Sequence, residues 1–205
     1  KRIGPYFLEA GPGFGGSCFK KDISNLIYIC NHYGLDEVAS YWESVILINQ
    51  WQQKRISKII VEKLFGNLSE KKIAILGFAF KSNTNDTRES PAISICKDLL
   101  EEGCFLSIYD PKVKKEQINK ELKFINTTSC EIDDKNIYWE KAKDIYEACN
   151  NSDAIVILTN WEEFLNLDFE KLNTIVKLPC WIFDTRNTIK FSEAERYGFN
   201  VWKLG

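Results

Sequence analysis

Lys72-Ile73-Ala74-Ile75-Leu76-Gly77 is a short run of aliphatic and β-branched residues that ends at a glycine. A run that is apolar at almost every position predicts a strand covered on both faces and followed by a tight turn. Ala154-Ile155-Val156-Ile157-Leu158 repeats the pattern and predicts a second buried strand. Burial on both faces is typical of parallel strands flanked by helices, so the two runs favour an α/β architecture.

Segments around these runs alternate between strand-like and helix-like patterns. Further strands are predicted at Phe105–Tyr109, 137–139, Trp181–Asp184 and 199–202, and helices at Pro91–Leu100, 114–122, 142–149 and 169–176. The alternation predicts a doubly wound, mostly parallel, Rossmann-like sheet over residues 67–205. Residues 123–136 show no clear pattern, and we expect a surface loop there.

Two helical patterns precede the sheet. The first covers about 17–33, and the second extends from Asp36 to Phe65 without an internal proline or glycine. A helix of that length with a broad apolar surface needs a partner, so we expect it to connect domains or to form the interface of a homo-oligomer. Residues 1–66 are therefore predicted to form a helical part distinct from residues 67–205.

Composition argues against several classes of protein. The 205 residues are 44% hydrophobic with a formal charge of −2, which gives no case for nucleic-acid or membrane-surface binding. No apolar run reaches the length of a membrane span, and none has the layout of a signal peptide. The seven cysteines form no C-x-x-C pair and His32 is the single histidine, so we expect no metal site and no disulfide framework, and a reducing, cytoplasmic setting fits best. Because the chain contains no methionine, even at position 1, we expect it to be part of a longer protein.

The segment that offers the clearest candidate for ligand binding and catalysis is Gly11-Pro12-Gly13-Phe14-Gly15-Gly16-Ser17-Cys18-Phe19-Lys20-Lys21-Asp22. Its glycines allow the backbone to approach a ligand closely, and Cys18 stands where a helical pattern begins. There the helix dipole and neighbouring lysines favour a thiolate, which is a nucleophile. A glycine-rich loop before an ordinary helix with a small buried cysteine fits the same spacing, so both interpretations stay open at this point.

Cationic side chains follow two of the predicted strands. Lys81 and Arg88 come after the Lys72 strand, and Arg186 comes after the Trp181 strand. Ligands of open parallel sheets bind at the carboxyl ends of the strands, so these three could form an anion-binding rim, although solvated loop charges would give the same sequence. The turn beginning at Gly77 lacks the second and third glycines of a dinucleotide fingerprint, so this sheet is a weak candidate for an NAD site.

Several separate motifs occur in a specific order. They are Arg2-Ile3-Gly4-Pro5, Phe14–Phe19, Lys21-Asp22, Ile73–Lys81, Asp86-Thr87-Arg88-Glu89-Ser90, Tyr109–Val113 and Phe183-Asp184. Through these residues the whole chain resembles the UDP-glucose/GDP-mannose dehydrogenase family, most closely its eukaryotic UDP-glucose-oxidising members. The resemblance implies that the chain holds the central helices and the C-terminal UDP-sugar-binding domain, with the NAD-binding Rossmann domain upstream of Lys1.

The resemblance also implies NAD-dependent oxidation of UDP-glucose to UDP-glucuronate in two hydride transfers. Cys18 matches the cysteine that forms a thiohemiacetal and then a thioester, and Asp22 matches the aspartate that assists hydrolysis. The residues implied in binding the UDP-sugar are Arg2, Phe7, Glu9, Ala10, Gly11, Pro12, Gly13, Phe14, Gly15, Phe80, Lys81 and Arg186. Cys18, Lys21 and Arg88 are implied on the cofactor side, and Arg2 matches an arginine that reaches a neighbouring subunit's substrate, which implies at least a dimer. The chain departs from some relatives at Glu9, where a lysine can stand, and at Lys20, where glutamine or proline can.

Two alternatives remain at the level of sequence. Another nucleotide-sugar dehydrogenase, acting on GDP-mannose or a UDP-N-acetylhexosamine, would share most of these motifs. A non-catalytic module that binds nucleotide sugars is the second alternative, although such a module has no need of a reactive thiol.

Overall fold

A computed structural model describes residue 4 and residues 8–123 and 138–205 of the chain. The helices are α1 Phe19–His32, α2 Asp36–Lys63, α3 Pro91–Glu101, α4 Lys115–Leu122, α5 Ile145–Cys149, α6 Phe169–Ile175 and α7 Phe191–Arg196. The strands are β1 Lys72–Leu76, β2 Phe105–Tyr109, β3 Trp139–Lys141, β4 Ala154–Ile157, β5 Trp181–Asp184 and β6 Asn200–Lys203.

The six strands form one parallel sheet in the order β3-β2-β1-β4-β5-β6. Strand β1 lies at the centre, where Ile75 is opposite both Ile108 of β2 and Val156 of β4. The prediction of a doubly wound, Rossmann-like sheet preceded by a long helix is confirmed. The strand order reverses between β1 and β4, and a crevice at such a reversal is where open α/β sheets bind ligands.

Burial of the central strands on both faces explains why their sequences are continuous apolar runs. Strand β4 is buried at every position and β1 at every position after Lys72, because helices cover both faces of the sheet. The second half of α2 belongs to the same core, since Ile56 and Ile60 are buried in it, together with Leu64 directly after the helix. Helix α1 packs on α2 and is thereby attached to the sheet.

Several boundaries differ from the sequence prediction for local reasons. The helix predicted from 142 begins only at Ile145, because the Asp144 carboxylate accepts the Glu147 N–H at 2.8 Å and caps the helix there. The third strand of the sheet covers Trp139–Lys141 rather than 137–139, and residue 137 lies outside the described residues. Helix α7 and a 3-10 helix at Glu162–Phe164 were not predicted, since both are too short to establish a periodic pattern.

Two further expectations concern the loop after α4 and the absence of a membrane-spanning helix. The loop expected at 123–136 lies outside the described residues except for Lys123. Over 8–123 and 138–205, no helix is both long and apolar enough to cross a bilayer.

Candidate active site

The glycine loop, defined here as residues 8–18, packs directly against the segment that follows β1. The Gly16 N–H donates to the Arg88 carbonyl at 2.9 Å. A Cβ on Gly15 would lie 2.3 Å from the Glu89 carbonyl oxygen, and one on Gly16 would lie 2.9 Å from the Phe80 ring. The loop and the end of the sheet therefore meet so closely that only glycine fits at positions 15 and 16.

Phe80 joins the elements that meet at this edge of the sheet. Its N–H donates to the Asp86 carbonyl at 3.1 Å, which closes the turn after β1. The Arg186 guanidinium donates to the Leu158 carbonyl at 3.0 Å and to the Phe80 carbonyl at 3.5 Å. The Lys81 ammonium lies 5.4 Å from the centre of the Phe80 ring. The structure thus brings Phe80, Lys81 and Arg186 together beside the glycine loop.

Arg186 is held from two sides. Buried Asp184 accepts the Arg186 N–H at 2.9 Å and the backbone N–H groups of Thr188 and Ile189, which shapes the loop after β5. On the other side, a Cβ on Gly11 would lie 2.8 Å from the Arg186 guanidinium. Burial lowers the pKa of Arg186 to about 10. An anion placed beside this desolvated guanidinium would gain a strong, directional contact.

Arg88, which was predicted on the same rim as Lys81 and Arg186, pairs with a neighbouring carboxylate. Its guanidinium forms two hydrogen bonds with the Asp86 carboxylate, at 2.9 and 2.7 Å, and this pairing lowers the pKa of Asp86. The hydrogen bond with Asp86 and the negative charge of its carboxylate raise the pKa of Arg88. Arg88 is therefore an exposed cation on the Cys18 side of the site.

Cys18 is exposed at the start of α1, where it occupies the N-cap position. The Ser17 hydroxyl lies 3.8 Å from its sulfur, and the Asp22 N–H donates to the Cys18 carbonyl at 2.8 Å. Asp22 and Lys21 are exposed in the same first turn. The interpretation of Cys18 as a small buried cysteine does not fit, whereas Cys30, near the other end of α1, is buried.

Helix α2 holds the glycine loop through residues that the sequence analysis missed. The Asn49 side chain accepts the Phe14 N–H at 2.8 Å and donates to the Phe14 carbonyl at 3.1 Å. The Gln52 amide donates to the Gly11 carbonyl at 3.2 Å. The cluster of amide residues at 49–53, inside an otherwise amphipathic helix, was the available signal.

Asp110 organises the sheet side of the site and was also missed as a structural residue. It is buried at the end of β2, and the structure shows five hydrogen bonds to its carboxylate. The donors are the backbone N–H groups of Phe78, Ala79, Lys112 and Val113 and the indole N–H of Trp161. The turn that leads to Phe80 therefore has a fixed conformation.

The remaining predicted residues are distributed around the loop. Arg2 and Phe7 lie outside the described residues, Glu9 and Ala10 are exposed, and Pro12 is buried. Gly11, Gly13 and Gly16 formally match the spacing of a dinucleotide fingerprint, but residues 8–18 follow no described strand, so the strand–turn–helix context of that fingerprint is not seen here. In the described part of the chain, no three His, Cys, Asp or Glu side chains are grouped to hold a metal ion.

Two family models match the chain. Residues 74–191 match the UDP-binding domain of the UDP-glucose/GDP-mannose dehydrogenase family, and residues 1–51 match the central domain of that family. The residues that form the site come from both matched regions.

Individual relatives agree with these matches. The whole chain is 48% identical to a UDP-glucose 6-dehydrogenase of Drosophila melanogaster and 44% identical to UDP-glucose 6-dehydrogenase 2 of Arabidopsis thaliana. It spans 43% and 44% of their respective lengths. A solved UDP-glucose dehydrogenase from Pyrobaculum islandicum matches with a TM-score of 0.73 at 25% identity, over 100% of this chain and 40% of that one.

Proposed function

The chain belongs to the UDP-glucose/GDP-mannose dehydrogenase family, and we propose that it supplies the nucleophile and the nucleotide-sugar site of a UDP-glucose 6-dehydrogenase. Residues 1–66 would carry the nucleophile and the subunit contact, and residues 67–205 would bind the UDP-sugar. The observation that carries this proposal is the close packing of the glycine loop on the Phe80 turn, with exposed Cys18 at the end of the loop.

Cys18 would act on the C6 aldehyde of the sugar. Its sulfur adds to the carbonyl carbon while the oxygen takes a proton, which gives a thiohemiacetal, and loss of hydride and a proton from this adduct leaves a thioester. Water then attacks the thioester carbon, the C–S bond breaks, the thiolate is regenerated and UDP-glucuronate is released. Asp22 lies one helical turn beyond Cys18 and would take a proton from that water.

The nucleotide sugar would lie between the loop and the sheet. The backbone from Glu9 to Gly15 would line one side, with the side chains of Phe7 and Phe14 as aromatic contacts. Phe80, Lys81 and Arg186 would bind from the other side, where the desolvated Arg186 guanidinium suits a diphosphate. Arg2 would reach the substrate of a neighbouring subunit.

NAD⁺, when bound, would accept the hydride in both oxidations. Arg88 and Lys21 fit its negative charge, because both are exposed beside Cys18 and Asp86 fixes the orientation of the Arg88 guanidinium. Cys18 would contact the cofactor as well as the sugar.

A homo-oligomer assembled through α1 and α2 would explain the apolar side chains left exposed on these helices. They include Tyr28, Tyr33, Val38, Tyr41, Leu47, Ile48 and Trp51. Large apolar side chains exposed along two packed helices are typical of a subunit interface. We expect Trp51→Glu to reduce the oligomer mass measured by light scattering, whereas Lys115→Glu on α4 should leave it unchanged.

We also place the enzyme in the cytoplasm, because the described cysteines are free thiols. Cell fractionation with an antibody to the protein tests this location, and recovery in a secreted or membrane fraction would contradict it.

Turnover of the full-length protein tests the proposed reaction. We expect NADH to form with UDP-glucose and the Cys18→Ser variant to lose activity by roughly a thousandfold or more. Cys30→Ala, which changes a buried cysteine of the same helix, is the matched control and should keep most of the activity. Equal turnover by Cys18→Ser and the unaltered protein would refute the nucleophile role.

Two further measurements separate the alternatives. Calorimetry with UDP-glucose, GDP-mannose and a UDP-N-acetylhexosamine ranks the candidate sugars, and tightest binding of either of the latter two would replace UDP-glucose as the substrate. Mild alkylation tests for a non-catalytic module: Cys18 should be labelled well before the other cysteines, and uniformly slow labelling would favour that module.

A further inference from the structure

We propose that Asn49 of α2 is a positioning residue for the nucleophile loop and acts through the backbone of Phe14. The proposal rests on the proposed role of Cys18. It goes beyond that role because Asn49 is placed on a different helix and contacts neither the sugar nor the thiol in the proposed mechanism. Its side chain satisfies both backbone polar groups of Phe14, at 2.8 Å for the N–H and 3.1 Å for the carbonyl.

The loop approaches α2 so closely that position 13 requires glycine. A Cβ on Gly13 would lie 2.7 Å from the Asn49 side-chain oxygen, and Gly13 has a φ of +126° that favours glycine. Gln52, one turn further along the same helix, donates to the Gly11 carbonyl at 3.2 Å. Two neutral amide side chains of α2 therefore form the backbone hydrogen bonds that a neighbouring strand would otherwise provide for this part of the loop.

Glycines make such an external support necessary. Gly13, Gly15 and Gly16 restrict the backbone little by themselves, so ordering them costs more conformational entropy than ordering other residues. Phe14 lies among them, and its ring contacts the ring of Phe19 edge-on at 4.7 Å. Fixing the Phe14 backbone thus restrains both the approach to Cys18 and the first residue of α1.

Only an amide at position 49 provides both interactions. An aspartate could accept the Phe14 N–H, but its carboxylate would face the Phe14 carbonyl without a donor. An alanine would leave both backbone groups of Phe14 without this partner. Gln50 is exposed on the same helix, has the same amide chemistry and is the matched control.

The test compares Asn49→Ala, Asn49→Asp and Gln50→Ala in the full-length protein. Hydrogen exchange measured on peptides covers residues 10–18, with peptides from β4 as the reference for global stability. Loss of hydrogen bonds worth about 1 kcal/mol each should speed exchange in residues 10–18 by roughly fivefold in Asn49→Asp, which loses one bond, and by roughly thirtyfold in Asn49→Ala, which loses both. Misplacement of Cys18 should lower kcat with UDP-glucose by roughly tenfold or more, with a smaller change in KM.

Gln50→Ala should match the unaltered protein in both measurements. Unchanged exchange in residues 10–18 of Asn49→Ala would overturn the proposal, and so would faster exchange with an unchanged kcat. If exchange in β4 rises equally, the substitution has destabilised the whole protein. The milder Gln52→Ala variant, which removes one bond to the Gly11 carbonyl, then tests whether exchange rises in residues 10–18 without rising in β4. Exchange needs no turnover, so it still tests the support of the loop by Asn49 if UDP-glucose proves not to be the substrate.

Discussion

The sheet edge and the glycine loop meet at Phe80, yet different kinds of interaction hold them. At the sheet edge, buried carboxylates of Asp110 and Asp184 accept several backbone N–H groups each. The loop has no buried charge of this kind and is held by the neutral amides of α2 and by the close fit of its glycines. The difference indicates that the sheet edge has a fixed shape, whereas the loop depends on its neighbours for its order.

The largest effect should come from removing a carboxylate at the sheet edge. Asp110→Ala leaves buried backbone donors without an acceptor, and we expect the free energy of unfolding to fall by roughly 3 to 5 kcal/mol. Asp168→Ala is the control, because Asp168 is an exposed N-cap of α6 whose carboxylate accepts the Lys171 N–H at 2.9 Å. Its cost should be about 1 kcal/mol.

Chemical denaturation of both variants measures these free energies. Equal losses from Asp110→Ala and Asp168→Ala would show that the buried carboxylate contributes no more than an ordinary cap. The proposed contrast between the sheet edge and the loop would then fail.

The next effect should appear when the loop is forced away from the sheet edge. Gly15→Ala would place a Cβ 2.3 Å from a backbone carbonyl, which cannot move without displacing the Glu89 segment. We expect turnover to fall by about a hundredfold, because small displacements of a reacting group have such effects. Gly11→Ala meets only the flexible end of Arg186, and its smaller effect should fall on the KM for the nucleotide sugar.

Steady-state kinetics on the two glycine variants test this difference. A Gly15→Ala variant with full turnover would mean that the loop does not need to pack on the Glu89 segment. If Gly11→Ala proved the more damaging variant, the order of importance proposed here would be reversed.

Arg186 belongs to the sheet edge, and its proposed contact with the diphosphate predicts an effect on ligand binding. Arg186→Ala should weaken UDP binding by roughly ten- to a hundredfold, and Arg186→Lys should recover only part of it because a lysine lacks the bidentate geometry. The pKa of Arg186 is lowered from 12.5 to about 10, so the side chain carries its charge below that pH and loses it above. UDP affinity should therefore be constant at neutral pH and fall as the pH rises through about 10.

Calorimetry across this pH range measures the effect. Arg186→Ala should show no such decline near pH 10, because the titrating group has been removed. A decline of equal size in that variant would assign the pH dependence to another residue.

The sheet could be predicted from sequence because its information is local. Runs such as Ile73–Leu76 are buried on both faces, so the apolar character of each residue directly indicates that its position is buried. The predicted bounds of β1, β2 and β5 agree with the structure residue for residue. Short helices such as α7 offer no such pattern.

The geometry of the candidate site was harder to predict because it depends on contacts between distant residues. Asn49 and Phe14 are separated by 35 positions, and nothing in either segment identifies the other. The prediction that Arg88 shares a rim with Lys81 and Arg186 did not include its pairing with Asp86, which is only two residues away. The sequence Asp86-Thr87-Arg88 does show Asp86 as a possible local partner of Arg88, but it does not show the geometry of the pair.

The smallest effect should come from the ion pair between α1, which directly follows the glycine loop, and the Glu89 segment at the sheet edge. Lys20 of α1 lies 2.7 Å from Glu89, but both side chains are about half exposed, at 41% and 49%, so water and salt screen the pair. We expect Lys20→Ala to lower stability by less than about 0.5 kcal/mol and to leave turnover within roughly twofold of the unaltered protein. Thermal unfolding and kinetics at low and high salt measure both quantities. A large loss would mean that charge, rather than glycine packing and the α2 amides, holds the loop on the sheet in this chain.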